Sequence, residues 1–484
     1  MAKLNYQVRS VDMRRHHHLL SMLVKVGVLV LGCGAANLLG VNASVDSGVV
    51  GQGVFITNAT NSPKCLDGSS PLYWITSGTG TGANKWLISF EGGGLCNGID
   101  PLGGGYNNCY DFAYYYEGGY FGTSNSPQVS PTFDFSAAYG NYFSRNSTLN
   151  PMMYNWNMVY LHYCDGGLWV GNVPGSVKLT GAYEGQQLYF RGGANAMAVL
   201  SDLIDNKGMS AAVEVVVSGF SAGGYSAYNY LDSIANMFPN KTHTRVVGLM
   251  DSGFFLDVNY HGCNFVDQVN WIYHNLSVHD YINPACLATQ SSNPNNCMFA
   301  KYIVPVTTTP IFSIQSRFDS FQYTYILCND NDQSLIYNYS VSLTNAYFNS
   351  GLNSGMNGGL LDDCPHHYYY YNFSVPNPHF FDPWNSIYAN NGMNQMQGFQ
   401  IWYEGGGKST SATNLTQYPV PHGLDFSCCT SAWMDESAID DDHNDGSSSH
   451  SYIASWAIAI IVVGVSLALA GIVFVVWKFI LVGT

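Results

Sequence analysis

The run Val215-Val216-Val217-Ser218-Gly219-Phe220-Ser221-Ala222-Gly223-Gly224 decides how this chain folds. Three β-branched apolar residues in a row read as a buried strand. The run ends in Gly-x-Ser-x-Gly, and a helix-compatible segment follows from Tyr225 to about Phe238. Strand, sharp turn and helix with a serine at the apex make a nucleophile elbow. Gly219 and Gly223 let the backbone turn without Cβ clashes, so Ser221 Oγ stands above the sheet. The competing reading is a plain glycine-rich turn with a surface serine, because this chain holds 51 glycines.

Working outward, Lys85 to Phe90 reads as a buried strand running into Glu91-Gly92-Gly93-Gly94. Met158 to Tyr163 reads as another, followed by Cys164-Asp165-Gly166-Gly167. Gly192 to Asn206 has a helical pattern. Val246 to Asp251 and Ile311 to Gln315 are further apolar runs of strand length. Strands alternating with helical stretches predict an α/β fold, an α/β-hydrolase-like, mostly parallel sheet flanked by helices. The Asn-, Pro- and Cys-rich stretch from Cys263 to Pro305 reads as an insertion or cap held by disulfides. No repeat of fixed period interrupts this order.

At 484 residues the chain can bury a large core. Charged residues make up 10% of it, against a usual quarter or so, and the formal net charge is −15. That balance argues against nucleic acid as a partner. Sequons at Asn42, Asn58, Asn146, Asn240, Asn275, Asn338, Asn372 and Asn414 predict a glycosylated, secreted or luminal protein. The 12 cysteines agree. Cys33 lies in the N-terminal apolar segment. Cys65, Cys96, Cys109, Cys164, Cys263, Cys286, Cys297, Cys328, Cys364, Cys428 and Cys429 are dispersed without CxxC pairs. Disulfides in an oxidising compartment fit them better than zinc, and their odd number leaves at least one thiol free or paired between chains.

Residues 1–44 hold a basic region (Lys3, Arg9, Arg14, Arg15) and an apolar stretch from Leu19 to Leu39, with small residues at Gly34-Ala35-Ala36. This reads as a signal peptide, with an uncleaved signal anchor as the alternative. A globular domain spans 45–434, and an acidic, Ser-rich linker spans 435–451. Residues 452–477 are almost wholly apolar, with Trp456 and Trp477 near the edges and Lys478 beyond. That length and those flanks predict a membrane-spanning helix and a short cytoplasmic tail at 478–484. A glycolipid-anchor signal is the alternative, given the small residues Gly446-Ser447-Ser448. The body of the chain then faces the lumen or the cell exterior as part of a single-pass protein of the cell surface or endomembranes.

Several segments together resemble the pectin acetylesterase family, which includes the animal Notum carboxylesterases. They are Cys65-Leu66-Asp67-Gly68-Ser69; Asn84-Lys85-Trp86 leading into Glu91-Gly92-Gly93-Gly94-Leu95-Cys96-Asn97; Tyr154-Asn155-Trp156-Asn157 leading into Tyr163-Cys164-Asp165-Gly166; Leu188-Tyr189-Phe190-Arg191-Gly192; Gly219-Phe220-Ser221-Ala222-Gly223-Gly224; and Asp251-Ser252-Gly253-Phe254-Phe255. They follow the family's order from about Cys65 to His367. The resemblance implies serine-dependent ester hydrolysis with no metal and no cofactor.

A serine needs a base, and the base needs an acid to hold it. In α/β-hydrolases the chain order is Ser, acid, His. Ser316-Arg317-Phe318-Asp319-Ser320-Phe321-Gln322 follows a strand and resembles the family's Asp-Ser-Trp-Gln, with Phe321 for Trp. It marks Asp319 as the acid; the bland reading is a helix-capping aspartate. Asp363-Cys364-Pro365-His366-His367 resembles Ser-Cys-x-x-His and marks His367 as the base. Asp363 departs from the pattern, His366 competes, and His422 is a more distant candidate. The resemblance assigns the oxyanion donors to Gly93, Gly94 and Ala222. Asp165 either lines the pocket or fixes a turn.

The expected activity is removal of acyl groups, acetyl foremost, from a polysaccharide such as pectin, a cell-wall substrate. The Glu-Gly-Gly-Gly-x-Cys-Asn form resembles that branch, although Leu95 stands where it usually has Trp. The alternatives are a Notum-like deacylase of a fatty-acylated secreted protein, a serine peptidase, and a non-catalytic surface glycoprotein that keeps the fold.

Overall fold

The computed structural model describes residues 50–416 apart from 58–61, 99–107, 136–140, 180–182, 241, 261–262, 329–331, 364–365, 368–383, 385–392 and 409–413. The N-terminal segment 1–44, the linker 435–451, the apolar segment 452–477 and the tail 478–484 lie outside the described residues, as do Cys33, Cys364, Cys428, Cys429 and His422.

Among the described residues, twelve strands run in chain order: β1 (Val50–Phe55), β2 (Leu72–Thr76), β3 (Lys85–Phe90), β4 (Thr132–Asp134), β5 (Asn157–Leu161), β6 (Val177–Lys178), β7 (Gln187–Leu188), β8 (Glu214–Phe220), β9 (Arg245–Asp251), β10 (Ile311–Ser316), β11 (Gly358–Asp362) and β12 (Asn414–Thr416). Ten of them form one sheet in the order β12-β11-β10-β9-β8-β3-β5-β2-β1-β4, and β6 and β7 form a separate ribbon. From β12 to β5 every pairing is parallel; β2, β1 and β4 extend the sheet antiparallel.

The apolar runs explain this layout. β5, β10 and β11 are buried along their whole length, and β3 and β8 after their first residue, as parallel strands covered on both faces must be. β1, near the antiparallel edge, alternates towards solvent. Two long helices flank the elbow strand, α1 (Gly192–Asn206) and α2 (Ala222–Asn236). In α1 the buried residues Ala196, Val199, Leu200 and Leu203 follow i, i+3, i+4, i+7 and form one apolar stripe. The α1 limits match the sequence reading, whereas α2 begins three residues before Tyr225 because the turn at Ser221 is complete in one residue.

Four disulfides occur among the described residues: Cys65–Cys164, Cys96–Cys109, Cys263–Cys328 and Cys286–Cys297. They belong to a secretory-pathway protein. The last two hold the expected insertion, closing a loop inside it and tying its start to the segment after β10. No helix among the described residues is long and apolar enough to cross a membrane.

Candidate active site

The register of the parallel strands brings the carboxyl ends of β3, β8, β9, β10 and β11 together. Phe90 pairs with Gly219, Phe220 with Asp251, Asp251 with Ile314, and Ser316 with Asp362. Every predicted catalytic residue follows one of those ends, where open α/β sheets place their ligands.

Ser221 is the single residue between β8 and α2. Its backbone sits at φ 54°, ψ −124°, a conformation that costs a non-glycine residue a few kcal/mol at most and that a packed surround must hold. Its N–H donates to Asp251 O at 3.1 Å, and its carbonyl accepts from Tyr225 N at 2.8 Å. Asp319 caps α3 (Ser320–Tyr325): its Oδ1 accepts from Gln322 N at 3.1 Å. The bland capping reading is therefore correct, and it does not exclude the other. Both Asp319 oxygens also lie 2.9 Å from His367 Nδ1, and Gln315 Nε2 donates to Oδ2 at 3.0 Å. His367 Nε2 lies 2.7 Å from Ser221 Oγ. An Nδ1–H donating to the carboxylate leaves Nε2 free to accept the serine proton. Phe321 stacks on the His367 ring at 4.8 Å, so the departure from Trp keeps an aromatic wall against the imidazole. Phe255 approaches the same ring at 6.0 Å and packs on Phe265 of the insertion.

His366 does not compete for the serine. Its Nε2 lies 3.1 Å from Asp362 Oδ1 and 3.2 Å from Oδ2. Burial pulls its ring down, but Asp362, with Asp251 and Asp319 behind it, outweighs burial and holds it above the ordinary value. Burial pushes the Asp251 carboxyl up to about 6 against the pull of Ser252, His366 and His367. Asp363, the departure from the family's serine, meets Arg317 in a two-point ion pair: Nε to Oδ1, and Nη2 to Oδ2 at 3.0 Å. Arg317 N also donates to Asp362 O at 3.0 Å, so the acid turn and the base turn are tied together. The sequence carried no signal for this pair, because Arg317 and Asp363 are 46 positions apart.

The Gly92-Gly93-Gly94 loop lies against the serine. A Cβ built on Gly92 would come within 2.8 Å of Ser221 Cβ. Gly93 and Gly94 have φ of +152° and +76°, which side chains rarely tolerate, and a Cβ on Gly93 would strike Phe121 at 2.5 Å and Tyr163 at 2.6 Å. Tyr163 Oη donates to Gly94 O at 3.0 Å, and Trp169 Nε1 donates to Glu91 O at 3.1 Å, tying back both ends of the loop. Ala222 is the first residue of α2, where backbone N–H groups have no partner within the helix.

Asp165 fixes a turn: its Oδ2 accepts from Gly167 N at 3.0 Å, and it is fully buried. Burial pushes its carboxyl up to about 7, with backbone hydrogen bonds opposing. Folding thus favours the protonated form, and this contribution is present below about pH 4 and lost as pH rises through about 7. Asp165→Asn keeps an acceptor and removes the titration. A Tm series should show wild type losing several degrees relative to this variant between pH 4 and 8. Parallel curves would sink the reading.

Among the sequons, Asn240, Asn275 and Asn338 are exposed, Asn146 is half-buried, and Asn414 sits in β12. Asn42, Asn58 and Asn372 lie outside the described residues. No cluster of three or more His, Cys, Asp or Glu suited to a metal ion occurs among the described residues.

Fold and site together define a carboxylic-ester hydrolase on an α/β-hydrolase-like sheet. The family model for pectinacetylesterase matches residues 46–351, and the chain belongs to that family. Pectin acetylesterase 7 of Arabidopsis thaliana is 30% identical over 311 residues, covering 63% of this chain and 68% of that one. The palmitoleoyl-protein carboxylesterase notum1a of Danio rerio is 28% identical over 272 residues, covering 54% of this chain and 49% of its own. The solved structure of the Wnt deacylase Notum from Drosophila superposes with a TM-score of 0.61 at 20% identity, over 76% of this chain and 96% of that one, which shows the shared fold.

Proposed function

We propose that this chain is a serine esterase that removes acetyl groups from a polysaccharide such as pectin, with Ser221 as nucleophile, His367 as base and Asp319 as the acid that orients it. The observation that carries the reading is the continuous hydrogen-bonded path from Ser221 Oγ through His367 to Asp319, beside a glycine loop. Oγ attacks the ester carbonyl as its proton passes to His367 Nε2. The amides of Gly93, Gly94 and Ala222 hold the oxyanion. Collapse expels the sugar alcohol, which takes the proton back from His367. Water, deprotonated by His367, then releases the acid and restores Ser221.

The polysaccharide is favoured over a fatty-acylated protein because pectin acetylesterase 7 matches more of this chain than notum1a does. The domain occupies 45–434. It is tethered by residues 452–477, with the linker 435–451 between them, the tail 478–484 beyond and an N-terminal secretion signal in 1–44; these assignments rest on the sequence. The exposed Asn240, Asn275 and Asn338 are the best-placed glycan acceptors.

The test is acetate release from acetylated pectin by the purified protein, alongside a long-chain acyl ester and a fluorophosphonate probe mapped by peptide. Labelling at Ser221 with acetate release supports the proposal. Turnover of the long-chain ester alone moves the substrate to the fatty-acyl class. A folded protein that neither labels nor turns over an ester overturns the catalytic reading.

A further inference from the structure

Beneath the glycine loop lies a second, fully buried pair that the reaction above does not use. Glu91, the residue before Gly92-Gly93-Gly94, places Oε2 2.8 Å from His162 Nδ1. The same oxygen accepts from Tyr163 N at 2.7 Å, and Oε1 accepts from Tyr120 Oη at 3.1 Å. The other ring nitrogen, His162 Nε2, lies 3.1 Å from Thr123 O. The edges of Trp74 and Tyr120 close around the imidazole. Both members of the pair are without exposed side-chain surface. Glu91 thus joins the end of β3, the residues after β5 and the turn at Thr123.

The hydrogen inventory of this cluster is decisive. Thr123 O can only accept, so Nε2 carries a hydrogen. Nδ1 faces a carboxylate oxygen, and two bare acceptors cannot approach to 2.8 Å, so a proton lies between them. Tyr120 O–H and Tyr163 N–H also point their hydrogens at Glu91, so both carboxyl oxygens act as acceptors here. The proton therefore belongs to the ring, and the pair is a buried carboxylate with an imidazolium.

We infer that the Glu91–His162 ion pair is a positioning device for the oxyanion loop, with the His162 proton cancelling a charge that would otherwise oppose catalysis. Glu91 grips the loop from below through its side chain while Trp169 holds its carbonyl. A lone carboxylate two residues from Gly93, in a dry site, would repel the negative charge that develops on the substrate oxygen. With His162 protonated, the grip remains and the charges of the two partners cancel. This inference rests on the esterase reading of the preceding section.

The test is a double-variant cycle with the full-length protein and p-nitrophenyl acetate as the ester, each variant first checked for folding by thermal unfolding. Glu91→Gln sets either an amide oxygen or an amide nitrogen where one carboxylate oxygen met both Tyr163 N–H and His162 Nδ1, so one of those contacts is lost and kcat should fall roughly 10-fold. His162→Gln leaves the carboxylate without its counter-charge, and kcat should fall roughly 10²-fold with KM nearly unchanged. Combining the two should restore kcat to near the Glu91→Gln level, a rescue that simple loss of packing cannot produce. Additive losses, or an unaltered kcat in His162→Gln, overturn the inference.

Should His162→Gln fail to fold, ¹⁵N-histidine NMR of the wild-type protein decides the matter. Both His162 ring nitrogens should show the shifts of protonated nitrogens at pH 7.5. One bare nitrogen overturns the inference. This readout needs no turnover, so failure of the esterase reading, seen as a wild type inert to every ester, remains distinct from failure of the ion pair.

Discussion

Ser221→Ala lowers kcat for ester hydrolysis on the order of 10⁵-fold and leaves the protein folded. The size of the loss follows from the unit formed by Ser221, His367 and Asp319: with the oxygen gone, the base at 2.7 Å has no proton to take and the acid nothing to orient. What remains is the oxyanion loop and substrate binding, which still give some rate above water. The fold survives because the change removes one hydroxyl. Ala occupies the same backbone angles as Ser, and the helix that follows is unaltered. The buried His367 Nε2 loses its partner, which costs about 1–2 kcal/mol. Steady-state kinetics, fluorophosphonate labelling and circular dichroism together check the prediction. Retained turnover in a well-folded Ser221→Ala protein would move catalysis to another residue.

Gly223→Ala has the largest expected effect on stability. A Cβ at this position would stand inside contact distance of Phe90 O and C and 2.7 Å from Glu91 O. These are backbone atoms at the end of a central strand, so no side-chain rotation relieves the clash. Either α2 moves off the sheet or the oxyanion loop is displaced, at a cost of about 3 kcal/mol or more. Against a typical total of about 5–15 kcal/mol, this should sharply reduce the yield of folded protein. Gly208→Ala is the control. Its φ of +84° strains any side chain, but nothing lies within 4 Å of the added carbon. That change should cost only about 1–2 kcal/mol. Urea unfolding of both variants separates crowding from backbone strain. If Gly223→Ala is no less stable than Gly208→Ala, the close approach of α2 to β3 does not exist in solution.

The two predictions show which parts of the site were readable in the chain. The elbow is a local code: a β-branched run, two glycines and a serine specify strand, turn and helix within ten residues, and the geometry follows from sterics alone. The carboxyl ends of β3 and β10, the glycine loop and the Ser–Asp–His order were legible for the same reason, since each is a short stretch whose composition dictates its own backbone. Asp319 shows the limit of such reading. Its neighbours predicted a helix cap, its place in the order predicted a catalytic acid, and in the folded chain it both caps α3 and meets His367 Nδ1.

The sequence by itself determined the class of fold, the elbow that carries Ser221 and the motifs of the loop, because these depend on residues adjacent along the chain. Only the tertiary structure put His367 rather than His366 beside Ser221, paired Asp363 with Arg317 and set Glu91 against His162. The physical reason is the same in each case. Which nitrogen meets which oxygen depends on the register of parallel strands joined by long crossovers, so partners 46 to 146 positions apart meet at distances that no local pattern encodes.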